Sequence, residues 1–233
     1  NPPIVGISPA FNGKTGDPKN TLTNILDTKE FTLSIVTHDM VEQMNICAAN
    51  YEPTVDEFNK SGLTKYNGNH VSVPGVAESP LILECKLLQH IQLSDKPAGG
   101  NLLLGEIICF HAHKDIYDDI GNIDPIKVDQ VSRLGKNWYS RANQGLFDLP
   151  APRFLPIGVD SLPLEVKNCS YFSGKLLARL AYVQSVPKID ESFDLKEKFI
   201  NLNKDDLLKN CANLLENKKV QDAWQLLHLG KII

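Results

Sequence analysis

The sequence predicts a mainly β protein with interspersed helices and a helical C-terminal extension, and three observations carry that reading. Leu81–Leu93 and Leu102–Ala112 are long strand candidates joined by S-D-K-P-A-G-G-N, a loop with a proline and two glycines, so the two strands should pair antiparallel. Glu30–Val36 (E-F-T-L-S-I-V) alternates apolar and polar residues as a half-buried strand does. From Asp206 to Leu227 the period changes, and Leu207, Leu208, Cys211, Leu214 and Leu215, then Ala223, Trp224 and Leu227, form helix faces. A Rossmann sheet would show regular strand–helix alternation and a G-x-G-x-x-G turn, and the sequence has neither.

Taken in order, the chain opens on P-P-I-V-G-I-S-P-A (Pro2–Ala10), an apolar run that reads as a buried strand. G-D-P-K-N-T-L-T-N-I (Gly16–Ile25) follows and leads into Leu22, Ile25 and Leu26 at helical spacing. A strand, a polar loop with Gly and Lys, and a helix start together make an anion site. The first N–H groups of a helix are unpaired at the positive end of its dipole, Lys19 adds a full charge and Thr21 a hydroxyl. The plainer alternative is that Asn20 or Thr21 caps the helix and Lys19 is solvated. Thr37 can cap the next segment, where Met40, Val41, Met44 and Cys47 share a helical face; Val55–Ser61 is a short helix stopped by Gly62. Asp118–Pro125 is a turn region, and Pro150, Pro152 and Pro156 mark the end of the sheet domain. The expected division is therefore residues 1–150 and 151–233.

Bulk properties exclude several classes. With 233 residues and 42% hydrophobic content the chain can bury a sizeable core. A net charge of −4 argues against nucleic acid or an anionic membrane surface as partner. No apolar run approaches the roughly 18–20 residues that span a bilayer, and no signal peptide is visible. Five scattered cysteines without C-x-x-C spacing suit free thiols in a reducing cytoplasm better than disulfides or a zinc site. His111 and His113 in H-A-H invite a chelate, but no third ligand is placed by the sequence, and no metal is expected.

The succession N-P-P-I-V-G-I-S-P (Asn1–Pro9), K-N-T-L-T-N-I (Lys19–Ile25), V-A-E-S-P-L-I-L-E-C-K (Val76–Lys86), G-E-I-I-C-F-H (Gly105–His111) and R-L-G-K-N-W-Y-S-R (Arg133–Arg141) resembles the flavin reductase-like, FMN-binding split-barrel family. Flavoredoxins and the reductase components of two-component oxygenases belong there. L-P-L-E-V-K-N-C (Leu162–Cys169) and S-G-K-L-L (Ser173–Leu177) resemble the tail of one bacterial branch. The resemblance implies a Greek-key split barrel over residues 1–150, a homodimer, and FMN held non-covalently near the dimer interface. It also implies NAD(P)H as electron donor, or a partner protein that receives the electrons. Lys19, Asn20 and Thr21 match the family's phosphate contacts, Asn45 lies near the ring, and His111 matches a position beside the flavin. Glu84 reads as a structural ion-pair partner, Arg133 and Arg141 as anchors of turns or of the dimer contact, and Trp138 and Tyr139 either as rings that stack on the flavin or nicotinamide or, more plainly, as buried area near an interface. No catalytic acid or base is assigned, because hydride transfer between nicotinamide and flavin asks the protein mainly to stack and shield the rings.

Two departures from the family pattern stand out. Relatives carry a segment of the type S-P-F-S-F-F-N before N-P-P-I, and this chain opens at Asn1, so such a segment is expected upstream. Many relatives also have K-P-P-R-V where this chain has S-V-P-G-V (Ser72–Val76), with Ser72 and Gly75 in place of Lys and Arg. That loss favours an alternative reading, a non-catalytic, dimeric flavin-binding module. The helices of Asp206–Leu227 are too short to persist alone, and are expected to bury their apolar faces against the barrel or a partner subunit.

Overall fold

The long hairpin read from the sequence is the spine of the sheet. In the computed structural model, which describes residues 1–193 and 196–233, the chain divides into two compact units, Asn1–Phe147 and Asp148–Ile233. The N-terminal unit runs β1 (Ile4–Ile7), α1 (Asn20–Thr28), β2 (Glu30–Ser34), α2 (Val41–Cys47), α3 (Glu57–Ser61), β3 (Lys65–Tyr66), β4 (Gly75–Val76), β5 (Leu81–Gln92), β6 (Asn101–Ala112), α4 (Pro125–Val128), β7 (Val131–Arg133) and β8 (Tyr139–Arg141). The C-terminal unit runs α5 (Leu164–Lys167), α6 (Gly174–Ala181), α7 (Lys196–Phe199), α8 (Lys204–Glu216) and α9 (Val220–Leu229).

β5 and β6 pair antiparallel from Leu81 opposite Ala112 to Gln92 opposite Asn101, and β1 and β2 flank them in the order β1-β6-β5-β2. The closed barrel expected from the resemblance is not what the described residues form. They make this open sheet and two two-stranded ribbons, β3-β4 and β7-β8. In that sheet β1 and β2 are the edges and do not pair with each other, so it stays open. β1, read as a buried strand, is an edge strand with Ile4 40% exposed. Leu22 and Ile25 of α1 pack with Phe31, Cys85 and Leu103 of the sheet. That contact explains Gly105: a Cβ there would lie 2.3 Å from Cζ of Phe31.

The segment between β3 and β5 lies along β2 for a reason written in the alternation of β2. Glu30, Thr32 and Ser34 point the same way. The Glu30 carboxylate accepts from Ser72 N and Oγ, Thr32 Oγ1 donates to Pro74 O, and Ser34 Oγ accepts from Val76 N. Farther along, Asp129, in the left-handed region at φ 51°, takes a bidentate pair from Arg141 at 2.6–2.7 Å, and Arg133 donates to Lys136 O across the β7–β8 turn. Both arginines thus anchor turns. Trp138 is 72% exposed. Among the described residues no helix is long and apolar enough to cross a membrane.

The C-terminal unit corrects the expectation for the last helices. Their apolar faces are covered within the unit itself, by residues 162–183: Leu207, Leu208, Cys211, Leu215, Trp224 and Leu227 form one core with Leu162, Val166, Phe172, Leu176 and Leu180. The sequence signal for this was present in L-P-L-E-V-K-N-C and S-G-K-L-L, but so short a helical period is hard to tell from a loop. Specific polar contacts complete the packing. Trp224 Nε1 donates to Leu180 O at 3.1 Å, Ser173 and Asn203 cap α6 and α8, and Arg179 donates to the terminal carbonyls of Leu215 and Glu216. Cys211 sits at full burial, which pushes its thiol up to about 12.

Residues 148–233 expressed alone should fold. The fragment holds one of the chain's two tryptophans, Trp224, so its emission should be blue-shifted and should move red in a single cooperative transition with urea. Solvent-exposed emission without a transition would show that the helical core needs more than its own residues.

Candidate functional site

The start of α1 and the loop before it form a polar hollow. Asn12 shapes that loop: its side chain accepts from Lys14 N at 2.9 Å and Thr15 N at 3.4 Å, its N–H donates to Asp17 O, and its carbonyl accepts from Gly16 N. This is the asparagine turn that short polar side chains make. Gly16 closes it at φ 79°, a conformation glycine takes without strain. The chain then enters α1 with Lys19 at the N-cap and no side chain capping the first N–H groups. Asn12, Gly13, Lys14, Thr15, Lys19 and Asn50 line a cavity of about 310 Å³.

The sequence-predicted residues fall differently around this hollow. Lys19 lines it. Thr21 is exposed in the first turn of α1. Asn20 turns its side chain elsewhere, donating from Nδ2 to Tyr51 O at 3.1 Å, which fastens the segment carrying Asn50. Asn45 is exposed on α2 and is not among the lining residues. Lys14, Asn12 and Asn50 were missed. A second lysine in F-N-G-K-T-G was the available signal, but only the folded turn shows that it faces the same hollow as Lys19.

His111 belongs to a second cluster. Its Nε2 lies 2.5 Å from Glu84 Oε1, its Nδ1 is hydrogen-bonded to the Tyr66 hydroxyl at 3.0 Å, and so both ring nitrogens are engaged within the protein. Glu84 is fully buried and accepts three backbone N–H groups: Asn69 on Oε1 at 3.0 Å, His70 and Val71 on Oε2 at 2.7 and 2.8 Å. The loop comes this close because residue 68 is glycine; a Cβ there would be 2.5 Å from the carboxyl. Burial pushes the Glu84 carboxyl up, but the His111 ring and the three amides outweigh it and hold the group at about 2, below its ordinary 4.5. Glu84 therefore has a structural place, hydrogen-bonded to His111 and to three backbone amides. Cys109 Sγ stands 3.8 Å from His111 Nε2.

Comparisons with known proteins agree on the N-terminal unit. The flavin reductase like domain model matches residues 1–125. An uncharacterized protein of Aquifex aeolicus is 32% identical over 141 residues, covering 60% of this chain and 69% of the relative. The uncharacterized protein YwrF of Bacillus subtilis is 32% identical over 147 residues, covering 61% and 70%. Among solved structures, nitrilotriacetate monooxygenase component B from Bacillus cereus is similar with a TM-score of 0.59 at 30% identity, over 64% of this chain and 73% of that one. The flavoredoxin of Desulfovibrio vulgaris (Miyazaki F) gives 0.51 at 25% identity, over 66% and 75%.

The Glu84 cluster yields a pH prediction. Its carboxyl has a lower pKa folded than unfolded, so the stabilisation is whole above about 4.5 and is lost as pH falls through about 2. Glu84→Gln should cost about 3–5 kcal/mol near neutral pH, since it breaks a buried pair from one side. The gap between variant and wild type in urea midpoint should narrow as pH drops below 4.5. A gap that is constant with pH would mean that the charge of Glu84 carries none of the effect.

Proposed function

This chain belongs to the flavin reductase-like domain family, and from that premise we propose that it is an FMN-binding flavoprotein acting as a flavin-dependent oxidoreductase, with NAD(P)H as donor. The observation that carries the reading is the hollow at the start of α1, which lies inside the matched residues. Its lining residues include two lysines, two asparagines and a threonine, which suit a phosphate and the hydroxyls of a ribityl chain. Lys14 and Lys19 would supply charge-assisted donors to the phosphate, and the start of α1, where no side chain caps the first N–H groups, adds the positive end of the helix dipole next to Lys19. Thr21 adds a hydroxyl, and Asn20 acts through the Tyr51 carbonyl by fixing the segment that brings Asn50 to the rim. When bound, the flavin supplies the hydride and electron chemistry.

A second reading, a flavin-binding module without reductase activity, is favoured by the segment before β5. Ser72 is neutral and committed to Glu30, and a Cβ at Gly75 would lie 2.6 Å from Ile82 Cγ2. A longer side chain at position 75 would displace Ile82, so the basic residue that relatives place there does not fit this packing.

Replacing Lys19 with Glu, or Thr21 with Val, should weaken FMN binding. A charge-assisted contact of roughly 1.5–3 kcal/mol corresponds to about ten- to hundred-fold in affinity. Both side chains are exposed, so the melting temperature of the flavin-free protein should stay put. Unchanged affinity in both variants would remove the phosphate from this hollow.

A further inference from the structure

We infer that Glu84, Cys109 and His111 form a binding site for a divalent cation of the zinc type, on one face of the β5–β6 hairpin. The sequence reading set a metal aside because H-A-H offers two histidines and no third ligand. Strand register brings together a different set. Cys109 and His111 are two residues apart on β6 and therefore share a face, and Glu84 stands opposite Cys109 on β5. One ligand atom from each of the three lies within 4.8 Å of the other two. His113 takes no part: its side chain is exposed, and its backbone N–H closes the hairpin by donating to Pro80 O.

A nitrogen, a sulfur and a carboxylate oxygen are the donor types zinc takes, and three protein ligands leave a fourth position open. Tetrahedral zinc would set nitrogen and sulfur about 3.6 Å apart and nitrogen and oxygen about 3.4 Å apart. The 3.8 Å between Cys109 Sγ and His111 Nε2 is already near the first figure. The 2.5 Å between His111 Nε2 and Glu84 Oε1 must widen as the cation takes the place of the proton between them. The surrounding groups orient the ligands as supporting residues around a metal do. Tyr66 holds the imidazole through Nδ1, leaving Nε2 toward Glu84, while the N–H groups of Asn69, His70 and Val71 fix the carboxylate. On binding, the proton displaced from Nε2 is replaced by one on Nδ1, where the Tyr66 oxygen accepts it, and the Cys109 thiol proton leaves to solvent, so uptake of the cation releases one proton net from a neutral imidazole. A cation bound here would clamp the loop carrying Asn69–Val71 to the hairpin.

Two titrations of the metal-free full chain test this, and neither involves flavin. Calorimetry with Zn²⁺ should show one equivalent bound, and Co²⁺ should produce thiolate charge-transfer absorption. Cys109 is half-buried, so Cys109→Ser should fold; it should abolish the charge-transfer band and weaken Zn²⁺ binding by about a hundred-fold or more. Cys47→Ser, the control on α2, should bind both metals as the wild type does. Failure of the wild type to take up either cation would overturn the inference, as would charge-transfer absorption that survives in Cys109→Ser.

Discussion

A carboxylate shut away from water must find its hydrogen bonds inside the protein, and Glu84 finds four. Three are backbone N–H groups in a row, Asn69 to Val71, so that stretch of chain has one place to go. The fourth, on His111, draws β6 into the same arrangement, and Tyr66 fixes the other side of that ring. Gly68 is the residue whose missing side chain lets the loop close on the carboxylate. Beyond Val71 the chain is handed to Glu30, Thr32 and Ser34 of β2, so the whole crossing from β3 to β5 is held by acceptors and donors that alternate along two neighbouring strands. Breaking the Glu84 cluster would release the loop, the ring and the face of the hairpin together.

Legibility in the sequence followed the range of the interactions. The β5–β6 hairpin, the helix at Lys19, the stop at Gly62 and the turn at Asp118 depend on residues close along the chain, and each could be read from pattern and turn chemistry. Glu84 could be read as a structural carboxylate, but its partners could not, because Asn69 and His111 lie 15 and 27 residues away. The phosphate hollow was half legible: the loop and Lys19 are local, while Asn50 arrives only through the Asn20–Tyr51 bond. Sheet closure was inferred from resemblance and not from the strands present, and the described strands divide into a four-stranded open sheet and two separate ribbons. The expected home of the last helices was misjudged for a related reason. α5 and α6 are short, and their apolar residues gain meaning only when α8 and α9 are laid against them.

The two units also differ in what they share with known proteins. Family membership rests on residues 1–125, which contain the polar hollow and the Glu84 cluster. The C-terminal unit lies beyond that match and has a full core of its own, with every apolar face named from the sequence accounted for inside it. The flavin reading therefore stands on the sheet unit alone. Within that unit the hollow explains how a flavin phosphate would be held, and Ser72 and Gly75 bear on whether the bound flavin would be reduced.

That last point is what most needs measurement. The protein saturated with FMN should be yellow, and anaerobic addition of NADH or NADPH should bleach the visible flavin band with matching oxidation of the nicotinamide. This is the result expected of a flavin-dependent oxidoreductase. A protein that binds FMN and stays yellow with both nucleotides would contradict the reductase assignment and leave the flavin-binding module in its place.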